Sequence, residues 1–344
     1  MEGGPGKAGA RRDDTRQTLT ETEQVVDYGL CMVICAMLQR GSVMAGSGEQ
    51  SVLVLGGTGN IGKHVVSGLA EAGDGPSKIL VGSRSPEAFH STYSQPAGCQ
   101  AVVQPVQCDL SSPESVGAVV TAAAASRVFL CLPQALGPEQ MVAVSNAVVD
   151  AAKASGAERL VRVSSLGIDG DWPGQGPLGD AHAASEEHCR TMGLPLTSLR
   201  PTSFHTNFVA YDIESLRKEN CFRSPLGSEA RVNWVHCADI GRVAAALLLK
   251  PETAGRGNEV VEVTGPPEST LSAGEMAALL SEELGRPVRY EEVAPPAVPE
   301  YAQLWAFLRA GGFATSTRTV LRLTGWPPVG FRAVVQEYKQ ALLP

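Results

Sequence analysis

The sequence predicts an α/β protein in which helices cover both faces of a doubly wound parallel sheet. Three observations predict this class. The apolar run 52–55 leads directly into a cluster of glycines, as a buried strand ending in a tight turn does. Apolar residues at helical spacing follow over 63–72. Short apolar runs and helical segments then continue to alternate, which is typical of parallel strands joined by crossover helices.

The glycine-rich segment 56–62 is the clearest sign of function. It satisfies the pattern G-x-G-x-x-G from Gly57 to Gly62 and lies between a predicted strand and a predicted helix. Backbone N–H groups at such a turn, and at the helix N-terminus behind it, bind a pyrophosphate. A turn without a ligand is the alternative. We expect the whole segment to contact a dinucleotide: Gly56, Gly57, Thr58, Gly59, Asn60, Ile61 and Gly62.

The remaining elements follow from the same patterns. Further strands are expected at residues 79–82, 101–106, 128–132, 160–163 and 196–199. Helices are expected to begin near residues 60, 86, 113 and 139, and Ser112 before Pro113 has the order of an N-cap followed by proline. Beyond residue 201 the pattern predicts strands at 231–235 and 259–263, a helix at 239–249, and helices after residues 270, 299 and 330.

This order of elements predicts the domain organisation. We expect a nucleotide-binding domain over 50–265 and a small, mostly helical C-terminal substrate lobe over 266–344. Residues 1–49 are expected to form a poorly ordered extension. Their one apolar segment, 28–38, is too short to span a bilayer, and acidic residues argue against a signal or transit peptide. Met44 resembles a natural start, which leaves open whether residues 1–43 belong to the mature protein.

Composition excludes several classes of function. The formal net charge of −8, without clustered basic residues, argues against nucleic acid or an anionic membrane as a partner. Eight scattered cysteines without a C-x-x-C pair indicate reduced thiols and no metal site. We therefore expect a cytoplasmic monomer or homodimer that binds a small molecule, although import into an organelle is not excluded.

The ends of the second, third and fourth strands predict the rest of the cofactor site. No carboxylate follows the second strand; Ser83 and Arg84 stand there instead, which favours the 2′-phosphate of NADP(H) over NAD. Alternatively, Arg84 is a solvated loop charge or stacks on adenine. Asp109 and Leu110 follow the third strand, where the carboxylate either meets the adenine amino group or caps the next helix. The predicted cofactor contacts at the end of the fourth strand are Leu132 and Pro133.

These motifs carry a family resemblance. The turn 56–62, the strand ends at 82–84, 109–110 and 163–165, and the segment 193–204 resemble the NmrA-like branch of the atypical short-chain dehydrogenases/reductases, over about residues 51–341. The tail at 320–331 is similar to NAD(P)H quinone reductases and ergot-alkaloid reductases.

The resemblance implies a Rossmann domain with a small C-terminal substrate lobe. It places Thr202 where the backbone meets the nicotinamide amide, and Phe204 where an aromatic side chain packs on the ring. Members of the branch include NADPH-dependent reductases as well as regulators that sense the nucleotide and bind a protein partner without catalysis.

The sequence departs from typical short-chain dehydrogenases at the catalytic helix. Where those enzymes carry Tyr-x-x-x-Lys, this chain has His182 and Glu186, which share one helix face. We expect Glu186 to raise the pKa of His182, so that the imidazolium donates a proton near neutral pH. Ser164, at the end of the fifth strand, is expected to hydrogen-bond a substrate oxygen. The alternative for His182 and Glu186 is a solvated helix surface.

Together these features favour an NADPH-dependent reductase that transfers hydride to a small hydrophobic carbonyl, imine or quinone. NAD is the less favoured cofactor. The competing function is a non-catalytic NADP(H) sensor, since both the usual tyrosine and lysine are missing. Isomerase or epimerase chemistry normally needs the same two residues and is disfavoured. The loop 167–179, with Trp172, is expected to act as a lid over the substrate.

Overall fold

The described part of the chain consists of alternating strands and helices. In the computed structural model, residues 50–96, 98–133, 135–169, 175–249, 258–295 and 299–344 are described. The strands, in chain order, are β1 (Ser51–Leu55), β2 (Lys78–Ser83), β3 (Val102–Gln107), β4 (Arg127–Leu130), β5 (Arg159–Val163), β6 (Leu196–Pro201), β7 (Ser203–Phe204), β8 (Cys221–Ser224), β9 (Arg231–Val235), β10 (Glu259–Val263), β11 (Thr270–Ser272) and β12 (Arg289–Glu292).

The helices connect these strands or follow them. They are α1 (Gly62–Glu71), α2 (Pro86–Thr92), α3 (Pro113–Ala123), α4 (Pro138–Ala154), α5 (Pro177–Met192), α6 (His205–Glu219), α7 (Cys237–Leu249), α8 (Ala273–Leu284), α9 (Pro299–Arg309), α10 (Thr319–Thr324) and α11 (Phe331–Leu342), with a short 3₁₀ helix at Pro267–Ser269. Ser112 caps α3 by accepting the backbone N–H of Ser115 at 3.1 Å, as its order before proline predicts.

A seven-stranded sheet positions the site. Its order is β10-β6-β5-β4-β1-β2-β3, and every neighbouring pair is parallel. The chain begins near the centre at β1, winds outward to β3, returns beside β1 at β4 and winds outward in the other direction. The predicted doubly wound α/β class is therefore confirmed. The winding reverses between β1 and β4, and ligands of such sheets bind in the crevice at that point.

The side chains of β1 point alternately into the two apolar layers that cover the faces of the sheet. Val52 and Val54 pack with residues of α1 and α7 on one face. Leu53 and Leu55 pack with residues of α3, α4 and α5 on the other. Side chains of a strand point alternately to opposite faces, so an uninterrupted apolar run is what a strand buried on both faces requires.

A third apolar cluster lies beside the sheet. It combines Phe208 and Trp234 with residues far later in the chain, such as Met276 and Phe331. Two small sheets accompany it, ordered β11-β9-β7 and β12-β8. The C-terminal region is helical, as predicted, but the cluster also draws on segments before residue 265. The division at 265 remains a prediction, and the expected extension 1–49 lies outside the described residues.

Within the described ranges, no helix combines the length and apolarity needed to cross a membrane. The same residues contain no group of three or more His, Cys, Asp or Glu side chains placed to hold a metal ion.

Candidate cofactor and substrate site

The glycine turn after β1 brings neighbouring backbone segments into close contact. Gly56 has φ +85°, and a Cβ at this position would lie 2.3 Å from the carbonyl oxygen of Cys131. A Cβ on Gly62, the first residue of α1, would lie 2.1 Å from the carbonyl oxygen of Gly56. Only glycine therefore lets the helix start this close to the turn.

The N-terminus of α1 is open to an anion. No side chain caps it, and its first turn contains no acidic residue. Thr58, Gly59 and Asn60 of the turn are exposed. Uncapped N–H groups at the positive end of a helix dipole favour a phosphate. The geometry thus fits the pyrophosphate of a dinucleotide, although the individual contacts remain predictions.

The side chain of Ser83 is buried and hydrogen-bonded within the protein, whereas that of Arg84 is exposed and could contact a ligand. Ser83 is buried, and its Oγ accepts the backbone N–H of Ser85 at 3.1 Å, so it helps to form the turn after β2. The backbone carbonyl of Arg84 accepts from Gln107 Nε2 at 3.2 Å, while the Arg84 side chain is exposed. A ligand at this edge of the sheet could therefore contact the guanidinium without breaking a buried contact.

Asp109 does not cap the helix that follows it. Its Oδ1 accepts from the backbone N–H of Ser111 at 2.9 Å and from the Ser111 hydroxyl at 2.8 Å, whereas Ser112 caps α3. The hydrogen bonds from Ser111, together with the charge of Arg84, hold the pKa of Asp109 below its usual value. Leu110 is half-buried and packs against the apolar layer of β1, α3 and α4.

A large cavity of about 990 Å³ opens beside this edge of the sheet. Apolar and aromatic side chains from the sheet, α6, α9 and the third apolar cluster make up much of its wall. It brings together the following residues predicted for the site: Leu132, Pro133, Ser164, His182, Thr202 and Phe204. Glu186 is buried behind Ser164 rather than in the wall. Trp172, expected in a lid, lies outside the described residues.

His182 is not paired with Glu186, which corrects the expected proton donor. Its Nδ1 lies 3.2 Å from Nη2 of Arg162, a buried side chain of β5. Burial, Arg162 and Arg200 lower the pKa of His182 to about 3, so the expected rise in this pKa is wrong. Because a guanidinium can only donate, Nδ1 is the acceptor and the ring proton resides on Nε2. His182 is a neutral hydrogen-bond donor near pH 7.

Glu186 instead belongs to a charged group beneath Ser164. It binds Arg200 through Nη2–Oε2 at 2.6 Å and Nε–Oε1 at 3.3 Å, and Arg200 also pairs with Asp169. Burial alone would lower the pKa of Arg200, but the hydrogen bonds from Glu186 and Asp169 raise it. The Ser164 hydroxyl donates to Glu186 Oε1 at 2.5 Å, which turns its oxygen lone pairs away from the carboxylate.

Thr202 is held by a buried asparagine that sequence reasoning missed. Thr202 Oγ1 donates to Asn233 Oδ1 at 3.1 Å, and Asn233 Nδ2 donates to the backbone carbonyls of Gly265 and Pro266 and to Thr270 Oγ1. Asn233 therefore ties β6 to β9 and β11. An amide between the apolar residues Val232 and Trp234 was the only sequence signal of this role.

Two other charged residues were also missed. Arg162 lies in the apolar run of β5, where a charge needs a buried partner. Asp212 is four residues after Phe208 on α6 and lines the cavity. The spacing of Asp212 from an apolar residue on the same helix face could have identified it as inward-facing.

Comparisons with known proteins agree with this geometry. A model of the NmrA-like family matches residues 48–304. The NAD(P)H azoreductase of Xenophilus azovorans is 35% identical over 239 residues, which cover 70% of this chain and 76% of that protein.

Two solved structures show the same fold at lower identity. The NADPH-dependent quinone oxidoreductase of Escherichia coli, crystallised with NADPH, is 21% identical with a TM-score of 0.66, covering 83% of this chain and 99% of its own. A nucleoside-diphosphate-sugar epimerase of Staphylococcus aureus is 18% identical with a TM-score of 0.67, covering 83% and 100%. Because the family model spans most of the chain and includes the glycine turn, this chain belongs to the NmrA-like family.

Proposed function

We propose that the protein is an NAD(P)H-dependent reductase of small hydrophobic acceptors such as quinones, carbonyls or imines. The observation that carries the proposal is the cavity of about 990 Å³ at the carboxyl edge of the sheet, which is large enough for a nicotinamide and an aromatic acceptor together. The azoreductase relative is named for the same use of NAD(P)H. A regulator that only senses the nucleotide has no need of a chamber of this size and apolar character.

The residues present fit a nicotinamide dinucleotide. The turn 56–62 and the N-terminus of α1 would hold the pyrophosphate, and Asp109 and Leu110 the adenosine side. We propose Leu132, Pro133, Thr202 and Phe204 for the nicotinamide end, because they line the cavity. We also propose NADPH over NADH, since the exposed Arg84 follows β2 where NAD-binding proteins carry a carboxylate.

When bound, the nicotinamide supplies hydride from its C4. The protein positions the acceptor and stabilises the charge that develops on it. His182 Nε2–H donates a hydrogen bond to an acceptor oxygen or nitrogen without giving up its proton. Ser164, whose hydroxyl hydrogen is bound by Glu186, offers lone pairs to a donor group of the ligand. The proton that completes the reduction comes from water.

A steady-state assay tests this function. Loss of nicotinamide absorbance is followed with NADPH and then NADH, against a panel of quinones, aldehydes, imines and azo compounds. We expect turnover of at least one apolar aromatic acceptor, with a lower KM for NADPH than for NADH. Tight NADPH binding without turnover of any acceptor would refute the reductase and support the sensor. An Arg84→Ala variant should lose the preference for NADPH, and an unchanged preference would remove the role of Arg84.

A further inference from the structure

Asp212 is a buried acid within the cavity that the proposed reaction does not use. It lies on α6 and is only 5% exposed. Its Oδ1 accepts the backbone N–H of Arg223, the third residue of β8, at 3.0 Å. No described residue hydrogen-bonds to Oδ2. One oxygen therefore fixes the side chain against β8, and the other is left for a ligand.

The other charged groups of the cavity wall are already paired. Lys218 lies 2.5 Å from Glu214, and both are exposed at the outer end of α6. Arg223 lies 2.5 Å from Glu219 and 3.4 Å from Glu291. His182, on α5, is neutral. Among the described residues, Asp212 is thus the one acid of the wall without an ion-pair partner of its own.

Aromatic side chains line the same cavity as this acid. One of them, Phe208, precedes it by one helical turn on α6. The others reach the same cavity from β8, β9, α9 and the loop behind α9: Phe222, Trp234, Trp305 and Phe313. Aromatic faces attract cations, and a carboxylate in an apolar chamber repels anions and is costly to bury unpaired. A ligand that carries positive charge into this chamber compensates Asp212.

We propose that Asp212 recognises a cationic nitrogen, so that the preferred acceptors of this enzyme are hydrophobic aromatic molecules bearing a protonated or quaternary amine. The inference rests on the proposed reductase function and narrows its substrate class. Two observations carry it: Oδ2 of Asp212 has no hydrogen-bond partner among the described residues, and aromatic side chains line the same cavity. Anionic acceptors of the same shape are excluded by the same carboxylate.

The protonation of Asp212 gives the proposal a pH signature. Burial raises the pKa of Asp212 to about 7, although the Arg223 backbone hydrogen bond and charge act in the opposite direction. A ligand of fixed charge binds the carboxylate form. Its affinity should be constant well above pH 7 and fall as the pH drops below 7, until binding to the protonated form of Asp212 sets a lower limit close to the affinity of the neutral probe.

Binding of two isosteric probes tests the inference. Phenyltrimethylammonium and tert-butylbenzene have the same shape and differ by one charge; their dissociation constants are measured on the NADP⁺-saturated protein by competition or calorimetry. We expect the wild type to bind the cation at least about tenfold more tightly than the neutral probe at pH 8. Asp212→Asn keeps an oxygen for the Arg223 N–H, and we expect it to lose most of the preference for the cation and the pH dependence of that preference, because only the attraction of the aromatic faces remains.

Glu187→Gln is the matched control, because it removes one acid at an exposed position that is already paired, with Arg190, and that does not line the cavity. It should keep the full preference for the cation. Equal binding of the probes by the wild type, or an undiminished preference in Asp212→Asn, would overturn the inference. Turnover of neutral acceptors tests the reductase separately. If the wild type reduces such acceptors but shows no preference for the cationic probe, only the assignment of Asp212 is refuted. Absence of turnover in the wild type refutes the reductase.

Discussion

At the scale of single residues, charge pairing decides which side chains can do chemistry. Arg200 takes up the carboxylate of Glu186, and Arg162 faces the ring of His182. The pair predicted on one helix face is thus separated by two arginines from neighbouring strands. Helix spacing predicts that His182 and Glu186 share one helix face, but it contains no information on the strands opposite. The neutral state of His182 could therefore not be read from the sequence of α5 alone.

His182 gives the prediction at this scale. His182→Phe should lower kcat by about 10- to 100-fold, because one hydrogen-bond donor to the acceptor is lost, while the dissociation constant of NADPH stays unchanged. His182→Gln, whose amide N–H replaces Nε2–H, should recover part of the loss. Steady-state kinetics and NADPH titration measure both effects.

The pH profile separates this role from general acid catalysis. With a pKa of about 3, His182 should contribute no titration to kcat between pH 5 and 8, and the wild-type and His182→Gln profiles should have the same shape. Unchanged turnover in His182→Phe would remove the residue from the mechanism.

At the scale of elements, long apolar patterns were predicted well and short polar ones were not. The seven strands of the main sheet coincide with predicted strands, with ends that differ by a few residues; β4, for example, ends at Leu130 rather than at 132. The parallel pair β8 and β12 was missed because Cys221–Ser224 and Arg289–Glu292 have no regular apolar alternation. Their pairing depends on contacts 68 residues apart in register, such as Arg289 with Cys221.

Two glycine-to-alanine changes test how α1 meets the turn. Gly62→Ala would place its Cβ 2.1 Å from the Gly56 carbonyl, so the helix must move and the phosphate site with it. We expect NADPH affinity to fall by at least about tenfold, which corresponds to some 1.4 kcal/mol. Gly117→Ala, in the middle of α3, meets no atom within 4 Å and should stabilise the protein by about 0.5–1 kcal/mol with NADPH affinity unchanged.

Fluorescence titration with NADPH and urea unfolding of each variant provide the two readouts. Equal NADPH affinity in Gly62→Ala and the wild type would show that the close approach of α1 is dispensable for binding. Loss of affinity in Gly117→Ala would show that the assay responds to any change of glycine.

At the scale of the whole molecule, buried histidines link stability to pH. His205, at the start of α6, is completely buried beside Phe331 and His236. Burial and the neighbouring His236 lower the pKa of His205 to about 3, below the 6.5 of an unfolded histidine. Between pH 6.5 and 3, His205 is therefore protonated in the unfolded state but not in the folded state. The free energy of unfolding consequently decreases as the pH falls from about 6.5 towards 3.

Replacing His205 by Phe measures this contribution. Between pH 6.5 and 5, protonation of His205 in the unfolded state should lower the free energy of unfolding of the wild type by about 1.5 kcal/mol. The variant lacks this contribution, so its free energy of unfolding should decrease by about 1.5 kcal/mol less over the same range. His64, whose pKa burial lowers to about 4, contributes in the same direction in both proteins and so cancels in the comparison. Urea unfolding at the two pH values gives the difference. Identical slopes in the two proteins would show that His205 titrates normally.

The fold as a whole was predictable because its sheet is encoded locally. The four apolar residues Val52–Leu55 alone predict a buried strand, and the glycines that follow predict the turn. The chamber beside the sheet was not predictable, since Asp212, Trp234 and Phe313 meet only through the third apolar cluster. Contacts between segments so distant in sequence leave no periodic pattern in any one of them.

The order in which the chamber walls occur along the chain has a consequence for synthesis. The glycine turn and β1 to β4 are complete by residue 130, whereas Trp305 and Phe313 line the cavity from near the C-terminal end. On the ribosome, the turn proposed to bind the dinucleotide therefore emerges well before these two residues of the cavity wall. We expect a chain that ends before α9 to keep this turn and to have a more open cavity, because Trp305 and Phe313 are then absent.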